Sequence, residues 1–178
     1  MIMRRRYSEK EIKDRLKRLE ILADTREQVW EHVESALAGQ KIAVQRGKLD
    51  FGDYTALIPD GTGGFYSLQD EVVIERKANI DEIAGNFTAD RRRFEAEFLR
   101  ARASGVKVFL LIENATWQDI FDHRYRSQLS PKALAASLLS WQAKYGITVV
   151  FCRPQESGRI LYGILYYWAR QRLEGGFT

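Results

Sequence analysis

The sequence predicts an α/β fold, with a mixed sheet flanked by helices. Three observations predict it. Helical and extended segments alternate along 178 residues, a length that suits one domain. The two late strands, near residues 106–113 and 147–152, are almost continuously apolar, as parallel strands covered on both faces are. Two earlier strands flank the Gly-rich segment 60–64, which is typical of an antiparallel hairpin.

The first half of the chain combines two helices with five short strands. Ser8 is the expected N-cap of the first helix, and Glu11 completes a capping box with it. Gly39 is expected to end the second helix, because glycine readily adopts the conformation that terminates helices. The predicted helices cover residues 8–19 and 27–38, and the predicted strands cover residues 20–24, 41–45, 54–58, 65–69 and 72–77, the last three as a meander.

The second half places helices between the apolar strands. Thr88, Thr116 and Ser130 are expected N-caps, since their hydroxyls can accept hydrogen bonds from the free amides of a first helical turn. Pro131 occupies the favoured first position of its helix, and Gly146 follows the end of that helix. The predicted helices cover residues 80–84, 88–103, a short segment after residue 116, 130–145 and 157–173, and the predicted strands cover residues 106–113 and 147–152.

The composition is that of a folded protein without a membrane segment. Hydrophobic residues make up 45% of the chain, yet no apolar run approaches the roughly 20 residues that a membrane span needs. The basic start is not followed by an apolar stretch, which argues against a secretory signal. Cys152 is the single cysteine, so no disulfide can form within the chain. We therefore expect a cytoplasmic protein that does not associate with membranes.

Positive charge is concentrated in two places. Residues 1–20 contain eight Lys and Arg against four Asp and Glu, and Arg91, Arg92 and Arg93 are consecutive. Clustered positive charge is typical of phosphate-binding surfaces, although a solvated helix face accounts for it equally well. We divide the chain into a basic N-terminal extension, residues 1–19, and a main domain, residues 20–178.

The residues that indicate chemistry cluster around one strand. Glu75 and Lys77 are two positions apart on strand 72–77, so they point to the same face, whereas Arg76 points to the other. Asp53 comes directly before the first strand of the meander, which folds it back beside Glu75. Two carboxylates and a lysine at one strand end suit phosphodiester hydrolysis, because carboxylates bind Mg²⁺ and a lysine stabilises charge on phosphate.

At these residues the chain resembles the XPF-type structure-specific endonucleases, a family with the PD-(D/E)xK, restriction-endonuclease-like fold. The motif of that family is Gly-Asp followed by Glu-Arg-Lys-x-x-x-Asp, which matches Gly52-Asp53, Glu75-Arg76-Lys77 and Asp81. Further similar segments are Asp24-Thr25-Arg26-Glu27, Arg93-Phe94 and residues 110–113. The resemblance extends over roughly residues 20–170, and it implies a nuclease domain over residues 20–178.

The resemblance implies a role for each motif residue. It implies a metal-dependent DNA endonuclease that uses Mg²⁺, with Mn²⁺ able to substitute. The implied catalytic residues are Asp53, Glu75, Lys77, Arg76 and Asp81, and the implied metal ligands are Asp53, Glu75 and Asp24. Arg76 and Asp81 would support the site through an ion pair. The implied DNA-binding residues are Arg26, Arg91, Arg92 and Arg93.

The resemblance also implies the class of DNA. Phosphate contacts read the shape of the backbone rather than base sequence, so a flap, a fork or a four-way Holliday junction is the expected substrate, in DNA repair or recombination. Family members usually have Gln where Glu97 stands, and the helix-hairpin-helix pair of many members does not follow this domain, so the preferred branched structure stays open. The chain looks like a stand-alone form of phage or prophage type, in which helix 8–19 helps to hold DNA.

The last predicted helix indicates a protein partner. It is apolar over more than half of its circumference, and an exposed apolar patch usually marks an interface. Members of the XPF-type family dimerise through their final helices and strand, so we expect a homodimer. Two alternative functions remain open at this point. One is a catalytically inert DNA-binding or scaffold subunit, and the other is a PD-(D/E)xK nuclease that acts on linear duplex.

Overall fold

The computed structural model describes residues 7–176. Residues 1–6, which include three of the predicted basic residues, and residues 177–178 lie outside the described residues. The elements in chain order are α1 (Glu9–Leu16), β1 (Glu20–Asp24), α2 (Glu31–Gly39), β2 (Val44–Gly47), β3 (Tyr54–Pro59), β4 (Phe65–Ser67), β5 (Val72–Lys77), α3 (Ile80–Thr88), α4 (Arg91–Ala103), β6 (Lys107–Glu113), α5 (Trp117–Phe121), α6 (Pro131–Tyr145), β7 (Thr148–Cys152) and α7 (Pro154–Gly175).

The strands form one mixed sheet in the order β2-β1-β3-β5-β6-β7, with β4 paired to β3. The pairs β1–β3 and β3–β5 are antiparallel, whereas β5–β6 and β6–β7 are parallel. The predicted α/β class, with a mixed sheet flanked by helices, is therefore confirmed. The parallel pair of β1 with β2, which α2 connects, was not part of the prediction.

The predicted meander is wrong in its strand order. Tyr54 of β3 pairs with Ala23 of β1 on one edge and with Ile74 of β5 on the other edge. Strand β4 pairs only with the end of β3, opposite residues 57–59, on the same edge as β5. Because β4 is three residues long, it leaves the start of β3 open, and β5 pairs there instead of beside β4.

Helices cover both faces of the sheet, and each face has its own core. Helices α1, α2 and α7 pack on one face, and α3, α4 and α6 pack on the other. Because side chains alternate along β5, Val72 and Ile74 pack in the first core and Val73 packs in the second. None of the described helices is long and apolar enough to cross a membrane.

Most predicted helix ends coincide with a cap in the structure. Ser8 and Glu11 form the predicted capping box, and Thr116 and Ser130 accept hydrogen bonds from the first turns of α5 and α6. Gly146 ends α6 in the left-handed conformation, with φ of +67°. The caps were predictable because they depend only on residues three or four positions apart.

Three predicted helix starts are wrong. Thr88 is the last residue of α3, and its hydroxyl donates to the Ala84 carbonyl, so it does not cap α4, which starts at Arg91. Helix α2 starts at Glu31 rather than at residue 27, because the preceding turn is held by contacts across the sheet that are described below. Helix α7 starts at Pro154 rather than at residue 157, since proline fits the first position of a helix.

Candidate active site

The candidate site lies at the sheet edge where β1 and β5 end and β3 begins. The Asp24 amide donates to the Asp53 carbonyl at 2.8 Å, and the Asp53 amide donates to the Ile74 carbonyl at 2.8 Å. These two backbone hydrogen bonds fix Asp53 between β1 and β5. The antiparallel pairing of β3 with β5 thus brings a residue before β3 beside the carboxyl end of β5.

Gly52 explains why the motif begins with glycine. Its φ is +66°, a conformation that side chains rarely tolerate. A Cβ at this position would lie 2.9 Å from Val73 Cβ, closer than real Cβ contacts, and 3.0 Å from the Ile74 carbonyl oxygen, closer than most of them. Glycine is therefore required for the chain to approach β5 closely enough to place Asp53 beside it.

Asp53, Glu75 and Lys77 line one cavity of about 420 Å³. Helix α4 closes one side of this cavity. The other charged side chains that line it are Arg26, Asp50, Arg93 and Glu97. The structure therefore brings the three central residues of the motif together on one face of the sheet, as the alternation along β5 predicts.

Lys77 is held as a cation in this cavity. Its Nζ lies 2.7 Å from Glu75 Oε1 and 3.5 Å from Glu82 Oε1, and 5.0 Å from the centre of the Phe94 ring. Burial alone would lower the pKa of Lys77, but the charge of Glu75 and its hydrogen bond outweigh burial and raise that pKa above its usual value. Lys77 consequently carries a positive charge at neutral pH.

Asp53 is suited to binding a cation. Its Oδ2 accepts a hydrogen bond from the Arg76 amide at 2.7 Å. Burial, and then the charge of Glu75, raise the pKa of Asp53 well above its usual value. Each of the two carboxylates makes ionisation of the other less favourable, and a divalent cation between them would offset this repulsion. The pair therefore fits Mg²⁺, which is usually held by one or two carboxylates together with water.

The predicted third acid does not join this pair. Across residues 7–176 there is no group of three or more His, Cys, Asp and Glu side chains arranged to hold a metal ion. Both Asp24 oxygens are engaged: Arg26 donates to Oδ1 at 2.7 Å and to Oδ2 at 2.9 Å, and the Leu49 amide donates to Oδ2 at 2.7 Å. Although burial raises the pKa of Asp24, these hydrogen bonds lower it to about 2. Asp24 therefore orients Arg26 instead of lining the cavity.

Arg76 lies on the opposite face of β5 in a buried ionic network. Its guanidinium donates to Glu113 Oε2 at 2.9 Å, to Glu27 Oε1 at 2.7 Å and to the Val29 carbonyl at 2.6 Å. The other Glu113 oxygen is 2.8 Å from His32 Nε2. This network ties the turn before α2 to β5 and β6. One feature of the sequence indicated this ionic network, namely the charged residues at the ends of apolar strands. That feature does not predict which of these residues pair with each other.

Asp81 also lies outside the cavity. It occupies the first turn of α3, where Oδ1 accepts from the Arg126 and Ser127 amides at 2.7 and 3.1 Å and Oδ2 accepts from Arg126 Nε at 3.1 Å. The predicted ion pair between Arg76 and Asp81 is therefore wrong, because each pairs with a different part of the chain. Asp81 holds the loop between α5 and α6 beside the start of α3.

The four predicted DNA-binding arginines separate into two groups. Arg26 and Arg93 line the cavity, with 64% and 74% of their side chains exposed. Arg91 is directed away from it, toward Glu95 at 3.0 Å, and Arg92 is exposed outside the cavity. Glu97, one helical turn after Arg93, is a cavity residue to which the sequence assigned no role.

Comparisons with known proteins agree with this fold. The chain matches the family model described as the ERCC4 domain over residues 23–164. It is similar to the solved structure of XPF from Aeropyrum pernix, with a TM-score of 0.64 and 21% identity over 85% of this chain and 66% of that chain. It is also similar to XPF from Aeropyrum pernix in complex with DNA, with a TM-score of 0.61 and 24% identity over 88% of this chain and 68% of that chain.

The extent of these matches defines what they establish. The chain spans about two thirds of the length of the two solved structures, and at these identities the likeness concerns the fold. No curated protein sequence matches the chain. The family model, in contrast, covers most of the 178 residues and contains the Gly52-Asp53, Glu75-Arg76-Lys77 and Asp81 motif. The chain therefore belongs to the ERCC4 domain family, the XPF-type nuclease family that its motif predicted.

Proposed function

We propose that this chain is a divalent-metal-dependent DNA endonuclease that hydrolyses phosphodiester bonds in branched DNA. The observation that carries the proposal is the meeting of Asp53, Glu75 and Lys77 in one cavity at the sheet edge. Membership in the XPF-type nuclease family supports the same activity. An intact set of motif residues argues against the inert scaffold subunit.

In this proposal, three residues of the cavity have distinct tasks. Asp53 and Glu75 would hold the metal ion, Mg²⁺ or Mn²⁺. When bound, such an ion lowers the pKa of a coordinated water and offsets charge on the phosphate. Lys77 adds a second positive charge beside the phosphate, and because its pKa is raised it stabilises charge instead of accepting a proton. Glu75 also orients Lys77, through their 2.7 Å contact.

Arg26 and Arg93 would bind the DNA backbone at the mouth of the cavity. Both side chains are mostly exposed, and Asp24 holds the Arg26 guanidinium through two hydrogen bonds. Contacts of arginine with phosphate add affinity without base specificity. DNA as the ligand is supported by the solved complex of XPF from Aeropyrum pernix with DNA. Arg91 and Arg92 would extend the positive surface along α4.

Cleavage of a set of oligonucleotide substrates tests this function. Flaps, forks, nicked and intact four-way junctions and linear duplex are incubated with Mg²⁺ or Mn²⁺, for the wild type, Asp53→Asn and Glu34→Gln. We expect cuts in branched substrates only, a loss of about 1,000-fold or more in Asp53→Asn, and no change in Glu34→Gln, whose side chain is exposed on α2. Equal cutting by wild type and Asp53→Asn would refute the proposal, and preferred cutting of linear duplex would favour the other nuclease class.

We propose further that the chain forms a homodimer through the outer face of α7. Phe109, Ile160, Ile164, Tyr167 and Trp168 line an apolar groove of about 780 Å³ on this face. Tyr167 is 67% exposed, which is unusual for so large an apolar side chain. A second copy of the chain is the expected occupant, as the family resemblance implies.

Sedimentation at micromolar concentration tests the dimer. We expect a dimer for the wild type and a monomer for Ile164→Asp, since a buried unpaired carboxylate would oppose association. A matched substitution, Leu139→Asp, changes an exposed apolar residue on α6, away from the groove, and is expected to leave the dimer intact. A monomeric wild type would overturn the proposal.

A further inference from the structure

Glu97 is a cavity carboxylate with no partner of its own. It lies on α4 one turn after Arg93, is half-buried and lines the cavity with Asp53 and Glu75. Within residues 7–176, the Glu97 carboxylate makes no hydrogen bond and no ion pair. Glu95, two residues earlier, contrasts with it, since its carboxylate binds Arg91 and the Trp141 indole. A half-buried charge without a partner is costly, so its presence here calls for a functional reason.

Every cation that lines the cavity already has an acidic neighbour. Arg26 is paired with Asp24 at 2.7 Å, and Lys77 is paired with Glu75 at the same distance. Arg93, the third cation, lies 3.6 Å from Asp90. The acids that remain without a basic partner are Asp50, Asp53 and Glu97. The uncompensated charge of the cavity is therefore negative.

The charge of Glu97 acts on Arg26, another residue that lines the cavity. The pKa of Arg26 is raised, first by its hydrogen bond to Asp24 and in smaller part by the charges of Asp53 and Glu97. Glu97 is not part of a ready-made metal cluster, so it acts across the cavity rather than as a third ligand fixed in place. A carboxylate that lines the same cavity attracts a divalent cation and repels a phosphate without touching either.

From these observations we infer that Glu97 recruits the divalent cation and keeps DNA phosphate out of the cavity until the cation is bound. The inference rests on the proposed function, because it concerns the same cavity. It assigns Glu97 a role as the residue that makes DNA binding conditional on metal. The cavity then favours metal before DNA, because the cation offsets most of its uncompensated negative charge.

The isosteric variant Glu97→Gln tests this inference without any cleavage. Binding of Mn²⁺ to DNA-free protein is measured by calorimetry, and binding of a duplex oligonucleotide in EDTA is measured by fluorescence anisotropy. Removing one of the uncompensated charges of the cavity is expected to weaken Mn²⁺ binding about 5- to 50-fold and to strengthen metal-free DNA binding about 3- to 10-fold. The two affinities move in opposite directions, which loss of structure would not produce.

Control variants separate this effect from general charge and from folding. Glu34→Gln removes the same charge from an exposed position on α2, on the other face of the sheet, and is expected to change neither affinity. Glu97→Asp keeps the charge and is expected to behave as the wild type, and Glu97→Ala should reproduce the effects of Glu97→Gln. The inference is overturned if both affinities fall together, if neither moves, or if Glu34→Gln gives the same changes.

The outcome is independent of the proposed nuclease activity. A wild type that cuts DNA while Glu97→Gln leaves both affinities unchanged would refute the role of Glu97 and leave the nuclease standing. A wild type that cuts no substrate, together with opposite shifts in Glu97→Gln, would refute the nuclease and leave Glu97 as a residue that couples metal to DNA binding.

Discussion

At the scale of single residues, Asp24 and Asp53 show that partners decide what a carboxylate can do. Their backbones are joined by a hydrogen bond of 2.8 Å, yet the pKa of Asp24 is lowered to about 2 and that of Asp53 is raised. Asp24 accepts hydrogen bonds from Arg26 and Leu49, whereas Asp53 faces the charge of Glu75. The oxygens of Asp24 are consequently engaged by protein groups, whereas Asp53 is a metal ligand in our proposal.

Asp24→Asn is expected to destabilise the protein by about 2 kcal/mol at neutral pH, which corresponds to the lowering of its pKa from 3.8 to about 2. A lowered carboxyl pKa adds stability above the unfolded value of 3.8 and loses it as pH falls toward 2. The difference between wild type and Asp24→Asn in urea unfolding should therefore shrink below about pH 4. A difference that stays constant with pH would contradict the assignment.

Asp53→Asn is expected to have the opposite effect on the metal-free protein. Because burial and Glu75 raise the pKa of Asp53, ionising it costs stability, and this cost appears as pH rises through the folded pKa. Thermal unfolding in EDTA should show Asp53→Asn to be more stable than the wild type, with a gap that widens as pH increases. A less stable variant at alkaline pH would show that Asp53 is held by interactions other than those described.

Lys77→Met is expected to reduce the cleavage rate about 100- to 1,000-fold, comparable to removing one group that stabilises a transition-state charge. The apolar stem of methionine can still pack against Phe94, so the variant should fold and DNA affinity should change little. Its stability should fall, because Glu75 is left without its buried partner. Single-turnover cleavage and anisotropy measure the two effects separately. Lys132→Met, an exposed lysine of α6, serves as the control, and equal losses in the two variants would argue against a specific role.

At the scale of elements, the contact between α2 and α7 sets how closely the first helical layer packs. Gly158 of α7 faces Ala36 of α2, and a Cβ on Gly158 would lie 2.6 Å from Ala36 Cβ and 3.2 Å from the Val33 carbonyl oxygen. Glycine at this point lets the two helices approach. Helix α2 follows the turn that Arg76 anchors, so this contact also supports the ionic network behind β5.

Gly158→Ala is expected to destabilise the protein by about 1–3 kcal/mol, as overpacking of a tight contact usually does. Adding Ala36→Gly should recover part of the loss, because it removes the nearer of the two atoms in conflict. Urea unfolding of the two single variants and the double variant measures the coupling. The control is Gly85→Ala, on α3, where an added Cβ meets nothing within 4 Å. Losses that simply add in the double variant would contradict direct contact.

At the scale of the whole molecule, the candidate active site and the apolar groove lie on different faces of the sheet. The carboxyl ends of β1 and β5 carry the candidate active site, and α4 covers it from one face. The opposite face carries α7, whose outer side forms the apolar groove beside β6. The proposed catalytic surface and the proposed dimer surface therefore lie on different faces, so that dimerisation leaves the cavity open to DNA.

The melting temperature should rise with protein concentration if the dimer forms. Association stabilises only the folded state, so a tenfold increase in concentration raises the apparent stability by mass action. We expect this dependence for the wild type and its loss in Ile164→Asp, measured by differential scanning calorimetry. A melting temperature that does not depend on concentration in the wild type would count against the dimer.

Local rules let the sequence by itself determine the α/β class, most strand positions, several helix caps and the central motif. Alternation with a period of two placed Glu75 and Lys77 on one face and Arg76 on the other, and this needs no knowledge of the fold. Gly52 was informative without knowledge of the fold too, because a glycine in a motif indicates a backbone conformation that other residues rarely adopt.

Only the tertiary structure decided which charges meet. Arg76 meets Glu113 across 37 residues of chain, and Asp81 meets Arg126 across 45. The sequence predicted Asp24 as a metal ligand, whereas the structure pairs it with Arg26. It grouped Arg91 with Arg93, of which only Arg93 lines the cavity, and it gave no role to Glu97, which also lines it. The physical reason is that caps and strand periods depend on neighbours within a few residues, whereas the partner of a charge depends on how strands pair and helices pack over the whole chain.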